Sequence, residues 1–452
     1  MPTDTNIVRL VKFSELNKWD CKRYITSSVK SRFNLVKVGK HIVPQTEKIK
    51  PFDNPDKDYC ILGVSNTDGM FDAYVEKGAN IKQPYKIVKN GYIAYNPYRV
   101  NVGSVGLKTN NQKYDLISPA YVVFSCKETL LPEFIHLLMK TQSFNRFIRD
   151  NTTGSVRQTF SFDSLKEIEI PLPSISEQQS LLDKYNVNMK KAVDAEQKAD
   201  KMHDCIFHDL SDMLGIVERK AIKLNGLGTI PFSQTEKWGI DFLVSPQTTY
   251  NRKFPVCPAG NLCDIGSGGT PSRNHQDYYN GQIPWVKSGE VLDDIIVDTE
   301  EKITPKAVKN SSAVVYPVGS LIIAMYGQGK TRGKTAKLGI EATTNQACAV
   351  LYNINTGKVL VDYLWFYFQG EYDRIRALAY GNNQPNLNAK IIKTYPIVLP
   401  PIHSDNKDDI SQEKIVADIQ NKKATIKALR EEAESLRQRA KQEFEEAVFG
   451  EF

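Results

Sequence analysis

The feature that most limits how this chain can fold is that it is written twice. SPAYVVF at 118–124 overlies NQACAVL at 345–351, and GSVRQTFSFDSLKEIEIPLP from Gly154 overlies GNNQPNLNAKIIKTYPIVLP from Gly381, both at a shift of 227 residues. Upstream, VKNGYIAYN around Gly91 faces YPVGSLIIAM around Gly319, and Trp19-Asp20 faces Trp238-Gly239, with small insertions changing the offset. Self-similarity of this length means two copies of one folding unit, each able to close its own core. The 452 residues, 41% of them hydrophobic, are enough for two or three such domains.

Both copies finish alike. IEIPLPSISEQQ opens one long polar-apolar segment, and PIVLPPI, followed by an insertion and SQEK, opens the other. Leu182, Tyr185, Met189, Ala192, Ala199, Ile206, Leu210 and Met213 fall on alternating steps of three and four that skip only polar sites. Ile415, Ile419, Ile426, Leu429, Ala433, Leu436 and Ala440 repeat the stripe between charged faces. Two core-facing helices would satisfy this pattern. Sustained heptad spacing in both, at equivalent places and without Pro or Gly, favours a coiled-coil pairing.

Ahead of each long segment lies a lobe of short β-like runs, YCILGVSN, YIAYNP and YVVFS in one and IPWVKSG, SLIIAMYG and ACAVLYN in the other. One helical stretch follows in each, PEFIHLLMKTQSFNRFIRD and VDYLWFYFQGEYDRIRAL. Strands first and a helix late predict an α+β fold. The expected order is a first domain over 1–173 with its N-terminal segment, a spacer helix over 174–215, a linker over 216–235, a second domain over 236–400 and a second spacer helix over 401–452.

The formal charge of +7 favours an anionic partner, and its distribution sharpens the inference. From Lys77 to Tyr114 there is no acid but seven cations, Lys77, Lys82, Lys86, Lys89, Arg99, Lys108 and Lys113. Between Glu301 and Glu341 there is again none, against Lys302, Lys306, Lys309, Lys330, Arg332, Lys334 and Lys337. The two stretches hold equivalent places in the repeat, which predicts a positive face on each lobe suited to spaced phosphates. Tyr95, Asn96, Tyr98, Asn101 and Ser104 in the first, and Tyr326, Gln328 and Thr331 in the second, are polar groups able to read base edges. The plainer reading is that lysines only solvate the surface.

Ala324–Thr331 reads A-x-x-x-x-G-K-T, one residue short of a nucleotide cradle. A cradle needs a helix directly after it, whose amides meet the phosphates. Here RGKTAKLG and the β-like ACAVLY follow, so the segment is expected to be a basic hairpin tip laid on nucleic acid.

Catalytic patterns are weak. Asn96-Pro97-Tyr98 lacks the second proline of an amino-methyltransferase motif, and no G-x-G-x-x-G loop accompanies it. Asp294 with Glu300 and Lys302 resembles a nuclease carboxylate set only loosely. Seven cysteines without a C-x-x-C, and scattered histidines such as His136, His203 and His208, suggest neither a disulfide framework nor a metal site. The start MPTDTNIVRLVKF has no apolar run of signal-peptide length, and VLVDYLWFYF is too short to cross a bilayer, so a cytoplasmic location without a membrane anchor is expected.

Two half-chains, each a basic lobe followed by I-P-L-P-like residues and a heptad helix, resemble the specificity subunit of Type I restriction-modification enzymes. The pieces that carry the likeness are GSGGTPSRNHQDYYNGQIPWVKSGEV at 266–291, the PVGSLIIA strand, TTNQA, GNNQPNLN at 381–388 and PLPSISEQQ at 171–179. The resemblance implies two target-recognition domains, each reading half of a split, asymmetric DNA sequence. The two long helices would pack antiparallel as a ruler for the unread spacer. It also implies partners: two modification subunits that bind S-adenosylmethionine and methylate adenine, and restriction subunits that are motor-nucleases using ATP and Mg. The chain itself would be non-catalytic, would carry no cofactor or metal, and would serve in phage defence.

Carried onto this sequence, the resemblance puts DNA contacts in the second lobe at Ser272, Arg273 and Asn274, at Lys287 and Ser288, and at Gln328, Lys330, Arg332 and Lys334. Asn66, Tyr98, Arg99, Asn101 and Lys108 occupy comparable turns of the first lobe, where ILGVSNTDGMF replaces the G-G-T-P-S region. Arg99 and Arg332 are the expected guanine readers and the lysines the phosphate clamps. Gln158 and Gln384 fit either a structural or a binding role. Two other readings keep much of this pattern: a free-standing restriction endonuclease or DNA methyltransferase with built-in recognition domains, and basic faces that bind RNA or a protein.

Overall fold

A computed structural model describes residues 31–151, 159–219, 247–250, 253–327, 329–379, 386–406 and 408–450. Trp19, Trp238, Gln158, Gln328, Gln384 and most of the expected linker lie outside the described residues. The chain divides into two compact units, one made of Met1–Ala195 with Glu431–Phe452 and the other of Glu196–Arg430. Each unit therefore contains one lobe and one half of each long helix, a division the domain boundaries expected from sequence do not follow.

The first unit holds an antiparallel sheet in the strand order 42–44, 122–126, 93–95, 105–107. A second sheet of five strands runs 48–49, 85–87, 116–117, 58–65, 69–77. Strand 35–37 pairs with 169–171, just before the first long helix. In the second unit the antiparallel order 264–267, 348–352, 321–324, 335–338 repeats the first sheet, and strand 256–258 pairs with 396–398 as 35–37 does with 169–171. The internal repeat is thus a repeat of strand pairing. Strand 295–296 adds to the 335–338 edge in parallel, and 302–303, 279–286 and 343–344 form a smaller sheet.

Each expected helical stretch is two helices. Pro132–Leu138 is followed by Gln142–Asn151, and Val361–Gly370 by Tyr372–Ala377. Proline at the first helical position opens Pro132–Leu138, where its missing N–H costs nothing. The short helices that lead into the closing strands are capped alike: Ser161 accepts from Ser164 N–H, and Asn388 from Ile391 N–H. Residues 216–219, expected to begin a linker, instead pair as a strand with 247–250.

The long helices are Ile175–Leu214 and Gln412–Phe449, so the second starts eleven residues later than the boundary read at 401. They run antiparallel in each unit. In the first, Tyr185 lies edge-on to Phe444 and Asn188 donates to Glu443 at 3.1 Å. In the second, Arg430 pairs with Asp200 at 3.2 Å and Lys422 with Asp209 at 2.9 Å. The heptad residues Leu182, Ala192, Ala199, Ile206, Leu210, Ile415, Ile419, Ile426, Ala433 and Ala440 are all buried, as an apolar seam requires.

Candidate nucleic-acid interface

The segment read as a basic hairpin is one. Leu321–Ala324 pairs with Thr335–Leu338, and the described residues 325–327 and 329–334 between them lie at the tip. No helix follows Thr331, so the geometry of a nucleotide cradle does not form. Lys330 is exposed at the tip and makes no ion pair among the described residues, while Arg332 is half-buried. In the first unit the equivalent hairpin joins 93–95 to 105–107. Its tip bears exposed Tyr98, Arg99 and Asn101, with no ion pair at Arg99 among the described residues. The ILGVSNTDGMF segment is also a hairpin, and its turn carries exposed Asn66. Asn66, Asn96, Tyr98, Arg99 and Asn101 all line one open depression of about 470 Å³. Four polar side chains and a guanidinium around one hollow are suited to base edges or phosphates.

Burial removes some of the expected contacts. Tyr95 is wholly inside the core, where its ring packs against those of Phe124 and Phe160. Ser104 is buried and donates to the Val64 carbonyl at 3.1 Å, tying the tip to the neighbouring hairpin. Lys108, expected as a phosphate clamp, is 3% exposed, with its ammonium bonded to the Gln112 carbonyl and 3.0 Å from Asp115. It is a buried cation, and leaving that site would give up the Gln112 carbonyl that its ammonium holds in the turn at 109–112.

Pairing removes others. Arg273 forks onto Glu301 at 2.7 and 3.2 Å and lies over the rings of Tyr279 and Trp285. Lys287 meets Glu300 at 2.7 Å and Glu301 at 3.3 Å, and Lys334 sits 3.3 Å from Asp293. The hydrogen bond from Arg273 holds the Glu301 carboxyl below its ordinary range, and the one that Lys287 donates to Glu300 raises the Lys287 ammonium, so both stay charged and mutually satisfied. These three cations, expected on DNA, are each paired with an acid of their own lobe, and Arg273 remains exposed beside its partner. Lys89, Lys302, Lys306 and Lys337 likewise pair with Glu47, Asp298, Asp277 and Asp362. Acids from outside the acid-free windows of sequence thus neutralise part of their charge.

The glycine-rich motif around 268–272 has a packing role. A Cβ on Gly269 would stand 2.4 Å from the backbone N of Ala313, and the Gly269 carbonyl accepts from the Trp285 indole at 3.0 Å. Gly269 N–H donates to Thr344, and Asn345 N–H to Val286. GGTPS, WVK and TTNQ therefore recur together because they knit one another. What they hold outward is the exposed run Ser272, Arg273 and Asn274, with Ser288 partly exposed at the neighbouring turn.

Sequence reading missed Tyr372 and Arg376. The Tyr372 hydroxyl donates to the Lys330 carbonyl at 2.7 Å, and Arg376 donates to the carbonyls of Arg332 and Gly329 at 2.6 and 2.8 Å. The DRIR run that contains Arg376 looks in sequence like any solvated helix face. The loosely nuclease-like acids are engaged structurally: Asp294 accepts from its neighbour Ile295 N–H and Glu300 holds Lys287. Asn96 turns its amide oxygen onto Tyr98 N–H, a local turn. Among the described residues no group of three or more His, Cys, Asp or Glu is placed to hold a metal ion.

Residues 251–436 match a family model described as the Type I restriction modification DNA specificity domain. Over 320 residues the chain is 21% identical to the Type I restriction enzyme MjaIX specificity subunit of Methanocaldococcus jannaschii, covering 67% of this chain and 66% of that protein. Over 287 residues it is 21% identical to the Type I restriction enzyme HindI specificity subunit of Haemophilus influenzae, covering 54% and 62%. The chain thus spans slightly under two thirds of the length of these relatives. A solved chain from work on complex assembly and conformational transition of the type I R-M system superposes with a TM-score of 0.60 at 15% identity, over 94% of this chain and all of the other, a likeness of fold.

Proposed function

We propose that this chain is a specificity subunit of a Type I restriction-modification system, which binds double-stranded DNA and reads a split, asymmetric target, one half per lobe. The observation that carries the reading is the pair of equivalent hairpin tips, each presenting an exposed cation that has no ion pair among the described residues, Arg99 in one and Lys330 in the other. Phosphates anchor a lysine such as Lys330 irrespective of sequence, while exposed polar side chains, Asn66 and Asn101 in one lobe and Ser272 and Asn274 in the other, reach base edges. Arg99 and Arg332 are the proposed guanine readers, and the paired long helices the ruler between the half-sites.

Adenine methylation and DNA cleavage belong, in this reading, to partners: two modification subunits that carry S-adenosylmethionine, and restriction subunits that use ATP and Mg. The chain contributes recognition and scaffolding, and the proposed setting is the cytoplasm. No helix among the described residues is long and apolar enough to cross a membrane.

The test is to sequence methylated adenines across the host genome with and without this chain. A bipartite motif that vanishes on deletion and returns with the intact gene is expected. Methylation of the same motif in its absence would overturn the assignment.

A further inference from the structure

We infer that Arg376 is a specificity-determining positioning residue of the second lobe: it presets the backbone of the 325–334 tip from which Arg332 and Lys330 meet DNA. The inference rests on the DNA-reading function proposed above and concerns how that site is held ready.

The tip contains Gly327, Gly329 and Gly333, all at positive φ (136°, 66° and 89°). A loop so built would sample many shapes if nothing held it. Yet three of its carbonyls are held by one short helix, Tyr372–Ala377. Arg376 spends both terminal nitrogens on the carbonyls of Arg332 and Gly329, and the Tyr372 hydroxyl takes that of Lys330. The guanidinium lies 5.1 Å from the Tyr372 ring centre, which orients it. Its stem crosses Gly333 so closely that a Cβ there would stand 2.9 Å from Arg376 Cγ.

The helix is itself anchored. Ile375 is fully buried, and the buried Glu371 at its start pairs with Arg374 and accepts from the Tyr395 hydroxyl at 2.6 Å. A fixed base, a planar two-pronged arm and a glycine loop beneath it make a clamp. The first lobe reaches the same end differently: Val100 of its tip is buried in one core with Phe144, Ile148 and Phe160. In the second lobe the clamp takes backbone carbonyls only and leaves the Lys330 side chain exposed.

Preorganisation predicts a particular signature. A loop already ordered before binding loses less freedom on its target, and a mispositioned loop cannot tell a right base from a wrong one. Lysine keeps the charge of Arg376 but lacks the fork that bridges two carbonyls. The full chain, assembled with its partner subunits, is therefore compared with Arg376→Lys and Arg376→Gln. Amide exchange at 329–334 without DNA is expected to quicken about tenfold in both. Binding is then measured on duplexes carrying the genomically mapped motif and single-base variants of each half-site. Discrimination at one half-site is expected to drop about tenfold while the other half-site is unaffected, with the salt slope unchanged. Tyr372→Phe, which removes one hydroxyl, should move both readouts the same way by less, and it carries the test if the Arg376 variants do not fold.

Faster tip exchange with undiminished discrimination would overturn the inference, as would a salt slope that falls by about one in Arg376→Gln, the mark of a direct phosphate contact. If the wild-type assembly shows no sequence preference, the DNA-reading function fails and this inference with it. The exchange experiment, made without DNA, still reports separately whether the clamp exists.

Discussion

Gln178 and Gln412 make the same three hydrogen bonds in the two halves of the chain. Gln178 accepts from Leu131 N–H at 2.9 Å and donates to the carbonyls of Thr129 and Pro173 at 3.1 and 2.9 Å. Gln412 accepts from Leu360 N–H at 2.8 Å and donates to Lys358 and Pro400 at 3.1 and 2.9 Å. Both side chains are wholly buried. Leu131 and Leu360 are the N-caps of the lobe helices Pro132–Leu138 and Val361–Gly370 and have no side-chain cap of their own. Each glutamine thus ties the first turn of a long helix to the start of a lobe helix.

Gln178→Leu or Gln412→Leu strands one amide and two carbonyls in the interior, each costing about 1–3 kcal/mol if unsatisfied. Either variant is expected to lower the unfolding free energy by a few kcal/mol, and Gln→Glu to do little better, since a carboxylate accepts one bond but donates neither of the others. Denaturant titration of the purified chain checks this. Loss below about 0.5 kcal/mol would mean water replaces the amide.

His136 lies mostly inside the first lobe, and burial together with nearby Lys140 pushes its imidazole down to about 4. An unfolded histidine protonates near its ordinary value of about 6.5. Between those values the unfolded chain takes up a proton that the native one refuses. The stability conferred by neutral His136 is therefore complete above about pH 6.5 and drains as pH falls towards 4. At about 1.4 kcal/mol per pH unit, the loss approaches 3 kcal/mol. His136→Leu should flatten the pH profile over that window, and parallel profiles for the two proteins would reject the assignment.

Arg332→Ala is expected to cost about 1–3 kcal/mol on the mapped target and to relax one position of one half-site. Lys330→Ala should weaken every duplex and lower the salt slope by about one. Lys108→Ala should leave the salt slope alone and lower stability, because its ammonium is internal. Fluorescence anisotropy across a salt series separates the three. Equal losses on all sequences from Arg332→Ala and Lys330→Ala would remove base reading from Arg332.

Inserting one heptad into each long helix keeps the apolar seam in register and preserves both lobes. The methylated motif is expected to retain its two half-sites with a longer unread gap. Genome-wide methylation mapping of the variant reads this directly, and an unaltered gap would refute the ruler.

The repeat, the two heptad helices and the two hairpin tips were legible in sequence because each is a local pattern. A buried stripe, a glycine turn and an alternating strand show themselves within a few residues, and Leu182, Ile419 and the 321–338 hairpin lie as those patterns imply. The break that divides each lobe helix was not legible, nor was the strand at 216–219, whose partner lies at 247–250.

Which cations remain for DNA was decided only in three dimensions. Lys337 meets Asp362, Lys306 meets Asp277 and Arg273 meets Glu301, while Arg376 reaches back to Gly329 and Arg332. Charge neutralisation acts over a few ångströms through space, whatever the separation along the chain. A count of lysines in a window therefore marks where a positive face is supplied, and the folded acids beside it determine how much of that charge is left.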